Sequence, residues 1–294
     1  MDDRPHSAEH LTASEREFWW NADFVALIAR RANLATARRV LDVGCGLGHW
    51  TRTLLPVLAP EATVVGVEPE AAWVAEARRL APARVTIEQG TAEALPFADG
   101  AFDLVTCQTV LIHVRAPLVA LAEMLRVLRP GGTLLLAEPS NLGAALLLDG
   151  RALTVRERVG LAELQAITEA GKAALGEGNN SLGDLLPGMV AALGVTDVRV
   201  YQSDNAAAVF PPYATPAQQA LVAGLRADAA AGRWQYDRRD TERYYLAGGG
   251  DPAAFEVAWA LALRATHLVA RGIEAGTYHS AGGGPHYVII ATKA

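Results

Sequence analysis

The densest chemistry in the chain lies in Val40-Leu41-Asp42-Val43-Gly44-Cys45-Gly46-Leu47-Gly48. An apolar run enters a glycine-rich turn, and a helix is expected from about His49. Glycines are needed where backbone must approach a ligand closely and where φ must be positive. A dinucleotide turn spaces its glycines GxGxxG; here Gly44, Gly46 and Gly48 give GxGxG preceded by the acid Asp42. Glu68 closes Val64-Val65-Gly66-Val67-Glu68, about twenty positions on, where an acidic residue holds a ribose diol. Two further groups could act on a proton or position a substrate. Histidine is the residue type best suited to general-base work, which makes His113 the candidate base, although Val110-Leu111-Ile112-His113-Val114 also serves for packing. Glu138 would either orient a substrate or cap a neighbouring backbone amide. Cys45 and Cys107 stand far apart, without a CxxC or histidine context, so neither a metal site nor a disulfide is expected.

These groups need a scaffold. From Val40 to Pro139, short β-branched runs alternate with helix-length stretches: Val40–Val43, Thr63–Val67, Arg84–Ile87, Phe102–Cys107 and Thr133–Ala137 are the expected strands. Apolar runs of that length imply buried parallel strands with helices on both faces. Helices are expected at Ala71–Leu80, with Trp73, Ala77 and Leu80 inward, and from Pro117 to Leu128, with Leu118, Leu121, Leu125 and Leu128 inward. Arg129-Pro130-Gly131-Gly132 should then stop the chain in a tight turn. Beyond Pro139 the rhythm turns helical, around 155–175, 216–231 and 252–271. The last carries a stripe of Phe255, Trp259, Leu263, Thr266 and Val269, with Asp251 as cap. Val195–Tyr201 and Tyr287–Thr292 are strand-like, and Gly248–Gly250 and Gly282–Gly284 look like flexible joints.

The ordered motifs from about Arg38 to Pro139 resemble the core of class I S-adenosylmethionine (SAM)-dependent methyltransferases. Besides the glycine turn and Glu68 they include Gln89-Gly90-Thr91-Ala92-Glu93-Ala94-Leu95-Pro96-Phe97, Phe102-Asp103-Leu104-Val105 and Arg126–Gly132. They are most similar to the branch that includes the quinone-biosynthesis and many bacterial natural-product enzymes. The resemblance implies an α/β fold with a Rossmann-like, seven-stranded, mostly parallel sheet whose last strand is antiparallel, plus a mainly helical lid. It also implies SAM as cofactor, with S-adenosylhomocysteine (SAH) as product, held by Asp42, Gly44, Cys45, Gly46, Gly48, Glu68, Thr91, Ala92, Glu93 and Gln108. In that carry-over Asp42 lies near the methionine ammonium, Glu68 accepts both ribose hydroxyls, Thr91–Glu93 meet the adenine, and Gln108 flanks the methionine. Family members often carry Asp where this chain has Thr91, which leaves the adenine contacts open.

The implied organisation is an N-terminal helical segment over 1–37, the SAM core over 38–140 and a helical segment over 141–194. A core strand over 195–203, a helical and aromatic lid over 204–286 and the final strand over 287–294 complete it. Methyl transfer from a sulfonium asks mainly for alignment and exclusion of water, so catalytic side chains can be few. Ligands in such sheets sit beyond the carboxyl ends of the strands, near Gln108, Thr109, His113, Glu138 and Asn141. The aromatics Phe210, Tyr213, Trp234, Tyr236, Tyr244 and Tyr245 either line a substrate pocket or form the lid's own core. Phe18-Trp19-Trp20-Asn21 is expected to close the opposite side.

Composition narrows the class. With 51% hydrophobic and 20% charged residues the chain is an ordinary globular one. A net charge of −6 argues against a nucleic-acid partner. No secretion signal or membrane-spanning run is read, so the expected location is cytoplasmic. The expected reaction is methyl transfer to an N, O or C atom of a small molecule. Peptide or protein methylation, and SAM binding without methyl transfer, are the alternatives.

Overall fold

The protein is described by a computed structural model over residues 14–146 and 148–294. Residues 1–13 of the expected N-terminal segment lie outside the described residues. Seven strands form one sheet: β1 Arg39–Val43, β2 Thr63–Glu68, β3 Val85–Gln89, β4 Phe102–Gln108, β5 Leu128–Pro139, β6 Val195–Gln202 and β7 His286–Lys293. Their order is β3-β2-β1-β4-β5-β7-β6. The first five run parallel, and β7 is antiparallel to both β5 and β6. The expected sheet is the observed one. The β-branched and leucine-rich centre is covered on both faces: Leu41, Val43, Leu104, Val105, Cys107 and Leu134 are fully buried. Chain order reverses between β1 and β4, which opens a crevice beyond their carboxyl ends.

The helices are α1 Ala22–Arg31, α2 His49–Leu54, α3 Ala71–Leu80, α4 Pro117–Val127, α5 Asn141–Ala145, α6 Val155–Ala174, α7 Leu186–Ala191, α8 Pro216–Ala230, α9 Arg238–Ala247 and α10 Phe255–Glu274. One sheet face packs against α1, α2 and α3 through Ile28, Trp50, Val74 and Ala77. The other packs against α4 and α7 through Leu121, Met124, Leu186 and Val190. The cover helices have cores of their own, one of them built on Leu164, Tyr245, Phe255 and Trp259. No helix among the described residues is long and apolar enough to cross a membrane.

Several expectations shift. In α3 the buried pair is Val74 and Ala77, and Leu80 is exposed. In α4, Leu118 is 50% exposed while Ala120, Leu121, Met124 and Leu125 turn inward. A residue one position off the leucine repeat faces the sheet because the helix must also seat the small Ala120 against it. α10 begins at Phe255; Asp251 accepts from the Ala253 amide at 3.0 Å, so residues 252–254 form a turn before it. Its inward stripe takes Ala262 and Ala265 where Leu263 and Thr266 were expected. β5 already starts at Leu128, and the β4–β5 register shifts between Phe102 and Leu104. The Pro-Gly-Gly segment is therefore a bulge inside a strand, with Gly131 at φ 69°.

Gly248, in the first glycine run, also serves packing. A Cβ on Gly248 would stand 2.0 Å from the Ile167 carbonyl oxygen, and one on Gly171 only 1.6 Å from that of Tyr244. These glycines let α6 and α9 cross with their backbones in contact. Likewise a Cβ on Gly178 would meet the Ile112 oxygen at 2.0 Å, and one on Gly183 the Glu138 and Pro139 oxygens at 2.7 Å. The cover therefore rests on the loop after β4 and on the end of β5 through bare backbone.

Candidate functional site

The glycine turn leaves β1 at the crevice. Gly44, Gly46 and Gly48 take φ of 66°, 50° and 80°, and Gly48 caps α2. Val110, from the loop after β4, presses on the turn so closely that a Cβ on Gly44 would lie 2.6 Å from its methyls. The turn is pinned to β2 twice: the Cys45 amide donates to the Val67 carbonyl at 2.9 Å, and the Gly46 amide to Glu68 Oε2 at 3.0 Å. Glu68 Oε1 accepts from the Glu70 amide at 3.1 Å. Glu68 thus braces the turn as well as ending the strand, and its oxygens keep lone pairs for a further donor.

Asp42 is buried under the turn, its Oδ2 accepting from the Thr51 hydroxyl at 2.5 Å. Burial pushes its pKa up to about 7, with the Glu68 charge adding to the rise. Burial raises Glu68 as well. Among the described residues neither acid is paired with Lys or Arg, so the cradle favours a ligand with positive charge and hydroxyl donors. The Cys45 thiol packs beside Gly66 and is raised by burial, which leaves it an inert filler.

Along the rim, Gln108 ends β4 buried, and its Nε2 lies 3.4 Å from the Thr109 hydroxyl. Thr109 takes φ 57°, a conformation a threonine adopts only when its surroundings impose it. Ala92 is buried behind the third strand's exit, with Thr91 exposed and Glu93 half-buried. The structure therefore sets Asp42, the glycine turn and Glu68 in one cradle, with Gln108 at its β4 side.

Glu138 is fully buried. Its Oε1 accepts from the amides of Val110 and Leu111 at 2.9 and 3.1 Å, its Oε2 from that of Ile112 at 3.4 Å, and Cys107 Sγ lies 3.4 Å away. Its carboxyl, pushed up to about 7 by burial, holds the loop that carries Val110 against Gly44. His113 ends the 3-10 turn Leu111–His113, with an exposed side chain.

Above the sheet, a buried polar network ties the cover to these loops. Glu169 accepts from the Ser181 hydroxyl at 2.6 Å and Gln165 at 3.0 Å; Lys172 donates to Asn180 Oδ1 at 2.5 Å and the Ile112 carbonyl at 3.5 Å. Gln165 also donates to the Asn141 carbonyl at 2.8 Å, and Asn180 bonds the Tyr236 hydroxyl. Burial pulls Lys172 down to about 8 and lifts Tyr236 to about 12. Sequence reasoning passed over this network. The 165/169/172 spacing, which stacks polar groups on one helix face, is the signal that could have found it.

At the sheet's far side Trp20 meets Trp50 at 5.0 Å, and His286 lies 5.4 Å from Trp19 and 5.8 Å from Trp20. Asn21 donates to Asp204 at 3.0 Å, and Asn205 bonds the Phe18 carbonyl, fastening this aromatic turn to the stretch after β6. Burial lowers His286 to about 4. Of the aromatics read as pocket or lid core, Tyr244 and Tyr245 are buried, Tyr236 joins the network, Tyr213 donates to the Tyr278 carbonyl and Phe210 is exposed. Trp234 lines a cavity of about 250 Å³ beside Asn141 and Gln165. Among the described residues no cluster of His, Cys, Asp and Glu could hold a metal ion.

Comparison with known proteins centres on this same stretch. Residues 41–136 match the family described as a methyltransferase domain. A demethylmenaquinone methyltransferase of Lactococcus lactis is 36% identical over 116 residues, which is 38% of this chain and 46% of that protein. An uncharacterized methyltransferase of Schizosaccharomyces pombe is 36% identical over 118 residues, 37% of this chain and 42% of that one. The chain thus spans less than half the length of these curated relatives. The solved YcgJ protein of Bacillus subtilis gives a TM-score of 0.51 at 19% identity, over 93% of this chain and 99% of that one. Phosphoethanolamine N-methyltransferase 2 of Haemonchus contortus, solved with phosphomonomethylethanolamine and S-adenosylhomocysteine, gives 0.50 at 17% identity, over 96% and 56%. At such identities the likeness to both structures is one of fold.

Proposed function

Starting from a chain whose residues 41–136 belong to the class I SAM-dependent methyltransferase family, we propose that it transfers the methyl group of SAM to a small-molecule acceptor. The observation that carries the reading is the cradle: an αL glycine turn, hydrogen-bonded to Glu68 at 3.0 Å, over the buried Asp42. It fits the cofactor's chemistry, because two unpaired buried acids await an ammonium and a diol. When bound, SAM supplies a sulfonium methyl already activated for in-line displacement.

The chain's own residues then bind, orient and shield. Glu68 accepts the ribose hydroxyls on the lone pairs the turn leaves over. Asp42 would lie near the ammonium, whose charge would favour its ionised form. The bare backbone of Gly44 and Gly46 flanks the methionine and ribose parts, and Gln108 flanks the methionine from β4. Thr91, Ala92 and Glu93 form the adenine side. Glu138 acts as a positioning residue through the loop it holds. His113 would serve as base only for an acceptor that carries a proton, and otherwise packs and positions, while a nucleophilic acceptor would need alignment and dryness alone. The size of the cavity under the cover, about 250 Å³, supports a small molecule rather than a peptide as acceptor.

Isothermal titration of the purified protein with SAM and SAH tests the reading. Both should bind in the micromolar range, and absence of heat with either would overturn it.

A further inference from the structure

The cavity under the cover has an unequal charge count. Arg151 and Arg158 both line it, and no acidic side chain does so among the described residues. One carboxylate, Asp149, serves both guanidiniums, with Arg151 Nε at 2.6 Å and Arg158 Nη1 at 3.6 Å. Arg158 spends Nη2 on the carbonyls of Asp149 and Arg151, at 3.3 and 3.0 Å. The two terminal nitrogens of Arg151 donate to no described residue. Both side chains are only 21% exposed. Two half-buried guanidiniums that share one carboxylate are left with an excess of positive charge and open donors, and an anion bound across the planar fork of Arg151 relieves that cost.

The rest of the wall is of another kind. Leu161 and Trp234 offer apolar and aromatic surface, and Gln165 and Asn141 offer amides. Asn141 opens the helix after β5, and Gln165 is tied to its carbonyl, so the cavity begins at the carboxyl edge of the sheet that also bears the cradle. Its volume matches roughly eight waters at about 30 Å³ each, the size of a small ring with one substituent.

We propose that this cavity is the acceptor subsite and takes a small molecule with an anionic group, a carboxylate or a phosphate, on an apolar or aromatic body. Arg151 and Arg158 grip the anion, and Trp234 and Leu161 pack the body. The proposal rests on the methyl-transfer reading for the fate of the ligand; its charge and shape follow from the cavity alone.

The test is a Trp fluorescence titration of the full chain with benzoate, phenyl phosphate and the neutral benzamide, each with and without SAH. The two anions should change the emission and benzamide should bind at least tenfold more weakly. A Trp234→Phe variant should lose the signal. Arg151→Gln should weaken benzoate at least tenfold while SAH affinity stays within about twofold. A stronger response to phenyl phosphate assigns a phosphate-bearing acceptor, and a stronger one to benzoate a carboxylate. Benzamide binding as tightly as benzoate, or no response to either anion, overturns the proposal whether or not the variants fold, because it is read on the unmodified protein. Anion binding without SAH binding keeps the anion site and removes the methyl-transfer reading.

Discussion

The cradle and the cover solve the problem of holding a small molecule in opposite ways. At the cradle most of the contact surface is backbone: an αL turn at a strand end, fixed by Glu68 and by the Val110 methyls, with only Asp42 and Glu68 supplying charge. At the cover the work falls to side chains, namely Arg158, Gln165, Glu169 and Lys172 on α6 and Arg151 and Trp234 on the segments beside it. Backbone geometry depends on few residue identities, so the first arrangement suits a ligand that is always the same. Side chains can be exchanged without disturbing the helices beneath them, so the second suits a ligand that differs from one protein to the next.

The contrast breaks first at the helix crossing. Gly171→Ala puts a methyl 1.6 Å from the Tyr244 oxygen, and neither backbone can move without parting α6 from α9. The variant should lose about 3 kcal/mol or more in chemical denaturation, with the cavity's ligand response lost and SAM binding largely kept. SAM binding lost together with the cover would mean that the two parts fold as one unit. Next is Glu68→Ala, which removes a charged acceptor from the ribose side and should weaken SAM by about 1.5–3 kcal/mol in titration calorimetry. A variant that binds SAM as the parent does would reduce Glu68 to its role as brace of the turn.

A pH series separates the two regions in another way. Asp42 and Glu138 keep their protons up to about 7 in the folded chain, whereas the unfolded chain releases them near 3.8 and 4.5. Between those values the folded state binds more protons, so stability of the ligand-free protein falls as pH rises toward 7. Lys172 works in the other direction. It loses its proton near 8 when folded and near 10.5 when unfolded, so stability rises across that interval. Urea midpoints measured from pH 4 to 10 should therefore pass through a minimum between 7 and 8. Asp42→Asn should flatten the acidic limb, and Lys172→Met the alkaline one. A profile indifferent to both would show that these groups stay hydrated.

The sheet and cradle were legible because their signals are local. Short apolar runs buried on both faces can only be central strands, and GxGxG after an acid fixes a turn within a few residues. The cover lacked such signals. α9, Arg-Arg-Asp-Thr-Glu-Arg-Tyr-Tyr-Leu-Ala, buries only Thr241, Tyr244 and Tyr245, too narrow a face to stand out from its charges. Gly248 reads alike in sequence whether it frees the chain or admits a neighbouring backbone, and the difference lies in what packs against it. Glu138 is a comparable case: an acid at a strand end reads as a site residue, and its three amide partners appear only when the loop after β4 is laid over it.

The bare contacts of Gly178 on Ile112 and of Gly183 on Glu138 and Pro139 bear on how such a protein can be recombined. A graft that joins residues 41–139 to another cover imports only half of each contact, and any side chain at the positions of the two glycines would lift the new cover from the sheet. A workable crossover must carry both glycines along with the segments they touch. For laboratory chimeras, as for natural exchange between relatives, the unit of inheritance is then the core together with the segment between α6 and α7 that carries the two glycines.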